Sequence, residues 1–301
     1  MRYRTAAAFR TALEAHLNEH ARRTDTSVQR WRRAVAFERL LARLLIVVPE
    51  GWVLKGALAL DFRLGARARA TRDMDLVSRD DPSSATADLR AAAMYPMDDF
   101  FGYIVEQTNR LDKLEDATAT RYHVRAELAG RVFEEMIVDI GFATPRDWRS
   151  EPLHLPDQLS FAAIGPIIVP VLPLATHVAE KLHAYTRGYG DGTRRSTREK
   201  DLVDLVLIAG FCPFDAQGLR DALEETFALR GKQTLPSSMP PAPDVWGPAY
   251  RKMATAVGID PDVRQGHARA AAFLDPVLAA ESLERRWDHV VQQWIMQGEG
   301  D

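Results

Sequence analysis

Cysteine is almost missing from this chain: Cys212 is the only one among 301 residues. That excludes a disulfide framework and a thiolate zinc site, both of which need several sulfurs. Its flank, Leu207-Ile-Ala-Gly-Phe-Cys-Pro, reads as a buried helix end rather than the setting of a catalytic thiol. Long hydrophobic runs are missing near the start. Leu40 to Val48 contains Arg43 and is too short to span a bilayer. Met1-Arg-Tyr-Arg begins basic, but Arg10, Glu14 and His16 interrupt any apolar region, so no secretory signal is expected before residue 30. The expectation is a cytoplasmic protein without membrane contact. An excess of one charge is also lacking. With 39 Lys and Arg against 42 Asp and Glu, the net charge of −3 excludes a uniformly basic nucleic-acid coat but permits a local basic channel. No internal repeat or low-complexity tract stands out.

What is present is enough apolar material, 46% of the chain, to bury a core in one large or two modest domains. Phe9, Leu13 and Leu17 recur at helical spacing over residues 6–24. Trp31, Ala34, Val35, Leu41, Leu44 and Leu45 do so over 26–46, behind a Thr26 or Ser27 cap. Gly51 to Leu64 reads as a turn and an apolar helix, Arg72 to Val77 as a strand, and the serines of 78–84 as caps for a helix at 85–94. Arg121–Arg125, Val132–Ile140 and Ile164–Val171 read as extended. From Leu174 the pattern is helical: 174–187, 198–210, 216–230, and 264–297 in two pieces. A Pro- and Ser-rich loop spans Lys232 to Trp246. The shift near residue 172 sets the expected domain boundary, giving 1–172 and 173–301.

The most informative stretch is Lys55-Gly-Ala-Leu-Ala-Leu followed by Arg69-Ala-Thr-Arg-Asp-Met-Asp-Leu76. Residues i and i+2 of a strand share a face, so Asp73 and Asp75 lie side by side while Met74 turns into an apolar setting. Two adjacent carboxylates stay charged when a cation sits between them, and Mg²⁺ prefers carboxylate and phosphate oxygens. The bland alternative is a pair of ordinary surface residues. Asp139 in the apolar strand Met136-Ile-Val-Asp-Ile-Gly-Phe142 joins the same cluster if that strand lies beside 72–77; otherwise it is a strand-terminal turn aspartate. Gly56 and Ala57 suit either a backbone amide against phosphate or a tightly packed helix start. Lys55 suits a phosphate contact or a stem lying beside Trp52. Arg69 and Arg72 screen phosphates or form a solvated charge run.

A second constellation lies in the helical half. Lys181 and Tyr185 stand one turn apart on one face. His183 falls elsewhere, lacks the His-x-x-x-His spacing of a zinc site, and reads as a packing or surface residue. Asp201 and Asp204 share a helix face, with Leu202 and Leu205 turned to the core. Arg198 sits at the positive end of that helix, which is unfavourable unless it has an anionic partner. The bland reading of Arg198, Lys200, Asp201 and Asp204 is a solvated face with local ion pairs.

Taken in order, these segments resemble the nucleotidyltransferase toxins of the AbiEii/AbiGii family, the toxic half of bacterial type IV toxin–antitoxin systems. Lys55-Gly-Ala-Leu-Ala-Leu60 with Arg69-Ala-Thr-Arg-Asp-Met-Asp-Leu76 resembles the family's Lys-Gly-Gly-like turn and Arg-x-Ser/Thr-x-Asp-x-Asp-Leu motif. Val138-Asp139-Ile140 resembles its middle acidic strand. Glu180-Lys-Leu-His-Ala184 and Arg198-Glu-Lys-Asp-Leu-Val-Asp-Leu205 resemble its late signatures. The similarity runs from about residue 50 to 210, and Ala57 departs from the usual Gly or Ser. The resemblance implies an α/β (α+β) nucleotidyltransferase-like lobe with a mixed sheet, completed by a mainly helical C-terminal lobe. It implies Mg²⁺ or Mn²⁺ on Asp73, Asp75 and Asp139. A nucleoside triphosphate would be held through Lys55, Gly56, Ala57, Arg69, Thr71, Arg72 and Arg198, with Lys181 on its phosphates. Asp204 or Asp201 would be a late active-site acid.

The expected chemistry is transfer of a nucleoside monophosphate to an RNA acceptor, with the tRNA 3′ end favoured. Asp139 would activate the acceptor hydroxyl, Lys181 and Arg72 would neutralise the leaving pyrophosphate, and Arg187, Arg194, Arg195 and Arg198 would offer a path for the RNA backbone. A toxin role implies a cognate antitoxin encoded nearby. The rival readings are transfer to a small molecule such as an aminoglycoside or to a protein hydroxyl, and a non-catalytic nucleotide- or partner-binding protein.

Overall fold

The computed structural model describes residues 1–110, 119–142, 149–187, 198–231, 233–281 and 283–296. Its packing divides the chain into two units: Met1–Ala66 with Ala70–Leu172, and Arg67–Arg69 with Pro173–Asp301. The first is a mixed α/β unit and the second is mostly helical, which bears out the expected fold class.

In the first unit, helix α1 (Ala6–Thr24) starts where the Thr5 hydroxyl accepts from the Ala8 amide, and α2 (Val28–Val47) where Ser27 accepts from Arg30. Strands β1 (Trp52–Lys55), β2 (Asp73–Ser78), β3 (Phe101–Arg110), β4 (Thr120–Leu128), β5 (Arg131–Phe142), β6 (Glu151–His154) and β7 (Ile168–Val171) form one seven-stranded sheet in the order β3-β4-β5-β2-β1-β7-β6. β2 runs parallel to β5 and antiparallel to β1, so the sheet is mixed. Helix α3 (Gly56–Leu64) follows β1 directly. Helix α4 (Pro82–Met94) is capped by Asp81, which accepts from the Ser83 and Ser84 amides, rather than by a serine. A carboxylate serves better there because its charge also meets the helix dipole.

Alternation gives the sheet two different faces. Met74, Leu76, Tyr122, Val124, Val138 and Ile140 are buried on one side and share a core with Phe9, Leu13, Leu40 and Leu89 of the helices. Asp73, Asp75, Arg121 and Asp139 occupy the other side and are half-buried. A dense ionic knot pins the segment before β3 to α2. Arg43, fully buried, donates to both oxygens of buried Asp99 at 2.8 and 2.7 Å, and Arg39 donates to the same carboxylate at 2.8 Å.

The second unit contains α5 (Leu174–Thr186), α6 (Glu199–Phe211), α7 (Ala216–Arg230), α8 (Gly247–Ala256) and α9 (Val263–Leu278). A small sheet of β8 (Phe214–Asp215), β9 (Arg285–Asp288) and β10 (Gln293–Met296) joins them. Cys212 caps the end of α6 and is buried, as its flank suggests. The expected second helical piece of 264–297 is instead the β9–β10 hairpin. Trp287 and Trp294 face each other across it, and each indole donates to a helix carbonyl, Ala209 at 2.7 Å and Phe273 at 2.9 Å. Packing buried Trp287 against half-buried Trp294, with both N–H groups satisfied, outweighs the local helical spacing. Among the described residues no helix is long and apolar enough to cross a membrane.

Candidate active site

Four charged residues lie in one row across four neighbouring strands. The register sets Lys55 of β1 opposite Asp75 of β2, Asp75 opposite Asp139 of β5, and Asp139 opposite Arg121 of β4. Alternate residues of these strands face the core, which leaves these four on the other face. Asp73 lies two residues before Asp75 on the same face. The Thr71 hydroxyl brackets the backbone of Asp73, accepting from its amide and donating to its carbonyl at 3.2 Å each, and so fixes the entry into β2.

Gly56 explains the first motif. It sits where β1 turns into α3, with φ of +67°, a conformation that favours glycine. A Cβ there would come within 1.9 Å of Asp75 Oδ2. The carboxylate therefore rests on the glycine backbone at the start of α3. Ala57 is buried in the first turn of that helix.

Arg121 grips Asp139 with both ends of its guanidinium, Nε to Oδ1 at 2.8 Å and Nη2 to Oδ2 at 2.6 Å. The hydrogen bond to Asp139 raises Arg121 above its ordinary value against the opposing effect of burial, and the charges of Asp139, Asp73 and Asp75 add to the rise. One guanidinium thus feels all three acids. Among the described residues no group of three or more His, Cys, Asp or Glu side chains is arranged to hold a metal ion. In this arrangement both oxygens of Asp139 accept from Arg121, and each keeps a further lone pair. Asp73 and Asp75 still fit a Mg²⁺ ion. That ion commonly takes one or two carboxylates and draws its other ligands from water and substrate phosphates, not from a protein cage.

In the second unit Lys181 of α5 donates to Asp204 of α6 at 2.6 Å and to Asp201 at 3.3 Å. Arg69 binds Asp204 through Nε at 2.9 Å and Nη2 at 3.0 Å, and Arg198 reaches Asp201 at 3.4 Å. Arg198 thereby has the anionic partner that its place at the N-terminus of α6 requires. Lys181 and Asp204 are buried. Burial works to raise the Asp204 carboxyl, but Lys181 and Arg69 hold it below the usual range. Burial likewise works to lower Lys181, and Asp204 and Asp201 hold it above its ordinary value. Both remain charged as a pair. Three cations face two carboxylates here.

The family model described as nucleotidyl transferase AbiEii toxin, type IV TA system, matches residues 39–293. The chain belongs to this AbiEii toxin family. The match spans both the sheet that carries the three aspartates and the helices that carry Lys181 and Asp204. No curated protein matches. Among solved structures, MenT4, a nucleotidyltransferase toxin from Mycobacterium tuberculosis H37Rv, is similar at 21% identity and a TM-score of 0.52, covering 90% of this chain and 98% of its own. JHP933 from Helicobacter pylori follows at 15% identity and a TM-score of 0.44, covering 84% and 93%. At these identities the likeness to MenT4 concerns the fold.

Within this AbiEii chain the expected residues fall into separate groups. Asp73, Asp75, Asp139, Lys55 and Gly56 come together on one sheet face. Arg69, Lys181, Asp201, Asp204 and Arg198 form the second network. Arg72 joins neither. It is exposed at the start of β2, and its charge acts on Glu134, which pairs with Arg33 of α2. The Tyr185 hydroxyl donates to the Pro240 carbonyl at 2.8 Å, and His183 is buried edge-on against Phe227. Arg194, Arg195 and the candidate caps Ser196 and Thr197 lie outside the described residues. Sequence reasoning missed Arg121. Its signal was alternation, since Tyr122 and Val124 turn inward and leave position 121 on the polar face, but only the register places it on Asp139.

Proposed function

We propose that this chain is a divalent-metal-dependent nucleotidyltransferase toxin that moves a nucleoside monophosphate from a triphosphate to an RNA hydroxyl, with the tRNA 3′ end favoured. The observation that carries the reading is the placement of Asp73 and Asp75 on one face of β2, with Asp139 in register beside Asp75 and Gly56 beneath it. Membership of the AbiEii family supports the reaction class. Asp73 and Asp75 would hold Mg²⁺ or Mn²⁺. That ion would supply charge neutralisation on the triphosphate and make the α-phosphorus more open to attack.

The chain's own residues do the remaining work in this reading. The backbone at Gly56 gives room to the Asp75 carboxylate, and Lys55, opposite Asp75, offsets phosphate charge. Asp139, held in place by Arg121, accepts the proton of the attacking hydroxyl on a lone pair that the guanidinium leaves open. Lys181 takes the triphosphate contact that the family resemblance assigns to it, and Asp204 positions it. A toxin of this kind implies an antitoxin partner.

Incubation with labelled nucleoside triphosphates, Mg²⁺ or Mn²⁺ and total RNA tests the reading. It predicts label on one RNA species, lost in Asp73→Ala. Label retained by that variant, or none on any RNA, overturns it. One observation favours a cationic small-molecule acceptor instead. The same sheet face carries Glu106, Glu127 and Glu135 beside Arg125 and His123, so it is acidic beyond the three aspartates. A panel of aminoglycosides in the same assay separates the two acceptors.

A further inference from the structure

Asp73 and Asp75 are held in unlike ways. Asp75 has Lys55 of β1 on one side, Asp139 of β5 on the other, and the Gly56 backbone against its carboxylate. The β1 ladder ends at the Lys55–Asp75 pair, so among the described residues Asp73 is joined in the sheet to β5 alone. It is also the first residue of β2. A strand end with one neighbour opens more readily than a position paired on both sides. Asp73 is restrained from the other direction by Thr71, whose hydroxyl meets both its amide and its carbonyl at 3.2 Å.

Thr71 is tied in turn to α2. Arg33 donates through Nη1 to the Thr71 carbonyl at 2.9 Å and through Nε to Glu134 of β5 at 3.1 Å. Glu134 is buried and also accepts from Gln29. A guanidinium is planar and always charged, so seating one edge on Glu134 fixes where the other edge points. Arg30 stands one turn earlier on the same face of α2 and donates to the Gly65 and Ala66 carbonyls at 2.5 and 3.3 Å. Two arginines of α2 thus hold the chain just past α3 and again where it enters β2.

We infer that Arg33 is a positioning residue for the metal-binding pair: seated on Glu134, it holds Thr71 and through Thr71 sets where Asp73 stands beside Asp75. It acts without touching ion or substrate. This rests on the proposed function, whose two metal ligands it takes as given.

The test is calorimetric titration of the full chain with Mn²⁺ alone, a readout independent of turnover, on variants whose folding is checked by circular dichroism. Arg33→Met should raise the Mn²⁺ Kd roughly 10-fold, the size of effect seen when a partner of a metal ligand is removed. Thr71→Val, which lacks the hydroxyl, should do the same. The double variant should be no worse than either single one, because both break one chain of contacts. Arg32→Met removes a neighbouring ion pair with Glu14 on the same helix and should leave the Kd unchanged. A purely structural role for Arg33 would lower stability without moving the Kd of the folded protein. Wild-type Kd in folded Arg33→Met or in Thr71→Val overturns the inference, as do additive effects in the double variant or an equal loss in Arg32→Met. Each of these leaves the nucleotidyltransferase reading standing. Should Arg33→Met fail to fold, Arg33→Lys takes its place, since an ammonium keeps the charge beside Glu134 but not the fork; wild-type Kd in that variant overturns the inference. No Mn²⁺ bound by the wild-type chain overturns the metal reading itself and this inference with it.

Discussion

The carboxylate of Asp75 lies against the backbone of Gly56, so closely that a methyl group on the glycine would stand 1.9 Å from Oδ2. A sequence motif that resembles a phosphate-binding turn is therefore also the floor on which a candidate metal ligand rests. With φ of +67° at Gly56, any side chain faces two penalties at once, one from the backbone and one from the contact.

Gly56→Ala should accordingly cost about 1–3 kcal/mol of stability and displace Asp75. Urea unfolding measures the first effect and Mn²⁺ titration the second. Ala57→Gly, one residue on, should cost only about 0.5–1 kcal/mol and leave metal binding unchanged. Equal effects of the two substitutions would show that the close approach has no functional weight.

Glu38 is buried in α2 beside Arg39, and burial pushes its carboxyl up to about 7 despite the opposing charge and hydrogen bond of Arg39. A raised folded-state value means that Glu38 supports the fold below its unfolded value of about 4.3 and that this support is lost as pH rises to about 7. Glu38→Gln should flatten stability between these limits and raise it at pH 8 by roughly 1–3 kcal/mol. Thermal melts across that pH range check the shape.

The Lys181–Asp204 pair sets both outer edges of the stability profile in the second unit. Asp204 is held below its ordinary value, so its contribution is present above about pH 3.9 and lost as pH falls through the lower folded value. Lys181 is held above its ordinary value, so its contribution is present below about pH 10.4 and lost as pH rises through the higher folded value. Asp204→Asn should destabilise the protein by about 3–5 kcal/mol, because it leaves Lys181 buried without its nearest counter-charge. Asp201→Asn, farther from Lys181 and less buried, should cost much less. The two variants, compared by denaturant midpoint, test whether Asp204 is the structural member of the pair.

Asp99 accepts from Arg39, from both Nη atoms of Arg43 and from the Phe101 amide. Asp99→Ala leaves two buried guanidinium groups without their shared carboxylate and should cost about 3–5 kcal/mol. Arg264→Ala removes an ion pair to Asp244 that is open to solvent and should leave the denaturant midpoint unmoved.

Local sequence made much of the fold legible. The stripes of Phe9, Leu13 and Leu17 and of Trp31, Val35 and Leu44 mark α1 and α2, and the alternation around Met74, Val138 and Ile140 marks β2 and β5. Other elements gave little signal. β1 is four residues long and runs straight into α3, so its apolar content reads as helix. The β9–β10 hairpin shows helical spacing until Trp287 and Trp294 are seen to pack together and on Phe273. The second network was half visible: the spacing of Asp201 and Asp204 shows a shared helix face, but not that Arg69, from a segment 135 residues away, binds Asp204.

By itself the sequence determined which side chains bear charge and which strand face each takes, because a period of two depends only on backbone geometry within a strand. Tertiary structure alone decided which strands are neighbours and in what register. That pairing brings Asp139 beside Asp75 and then gives it to Arg121, and it rests on burying Tyr122, Val138 and Met74 together, an energy summed over the whole core and not written in any one segment.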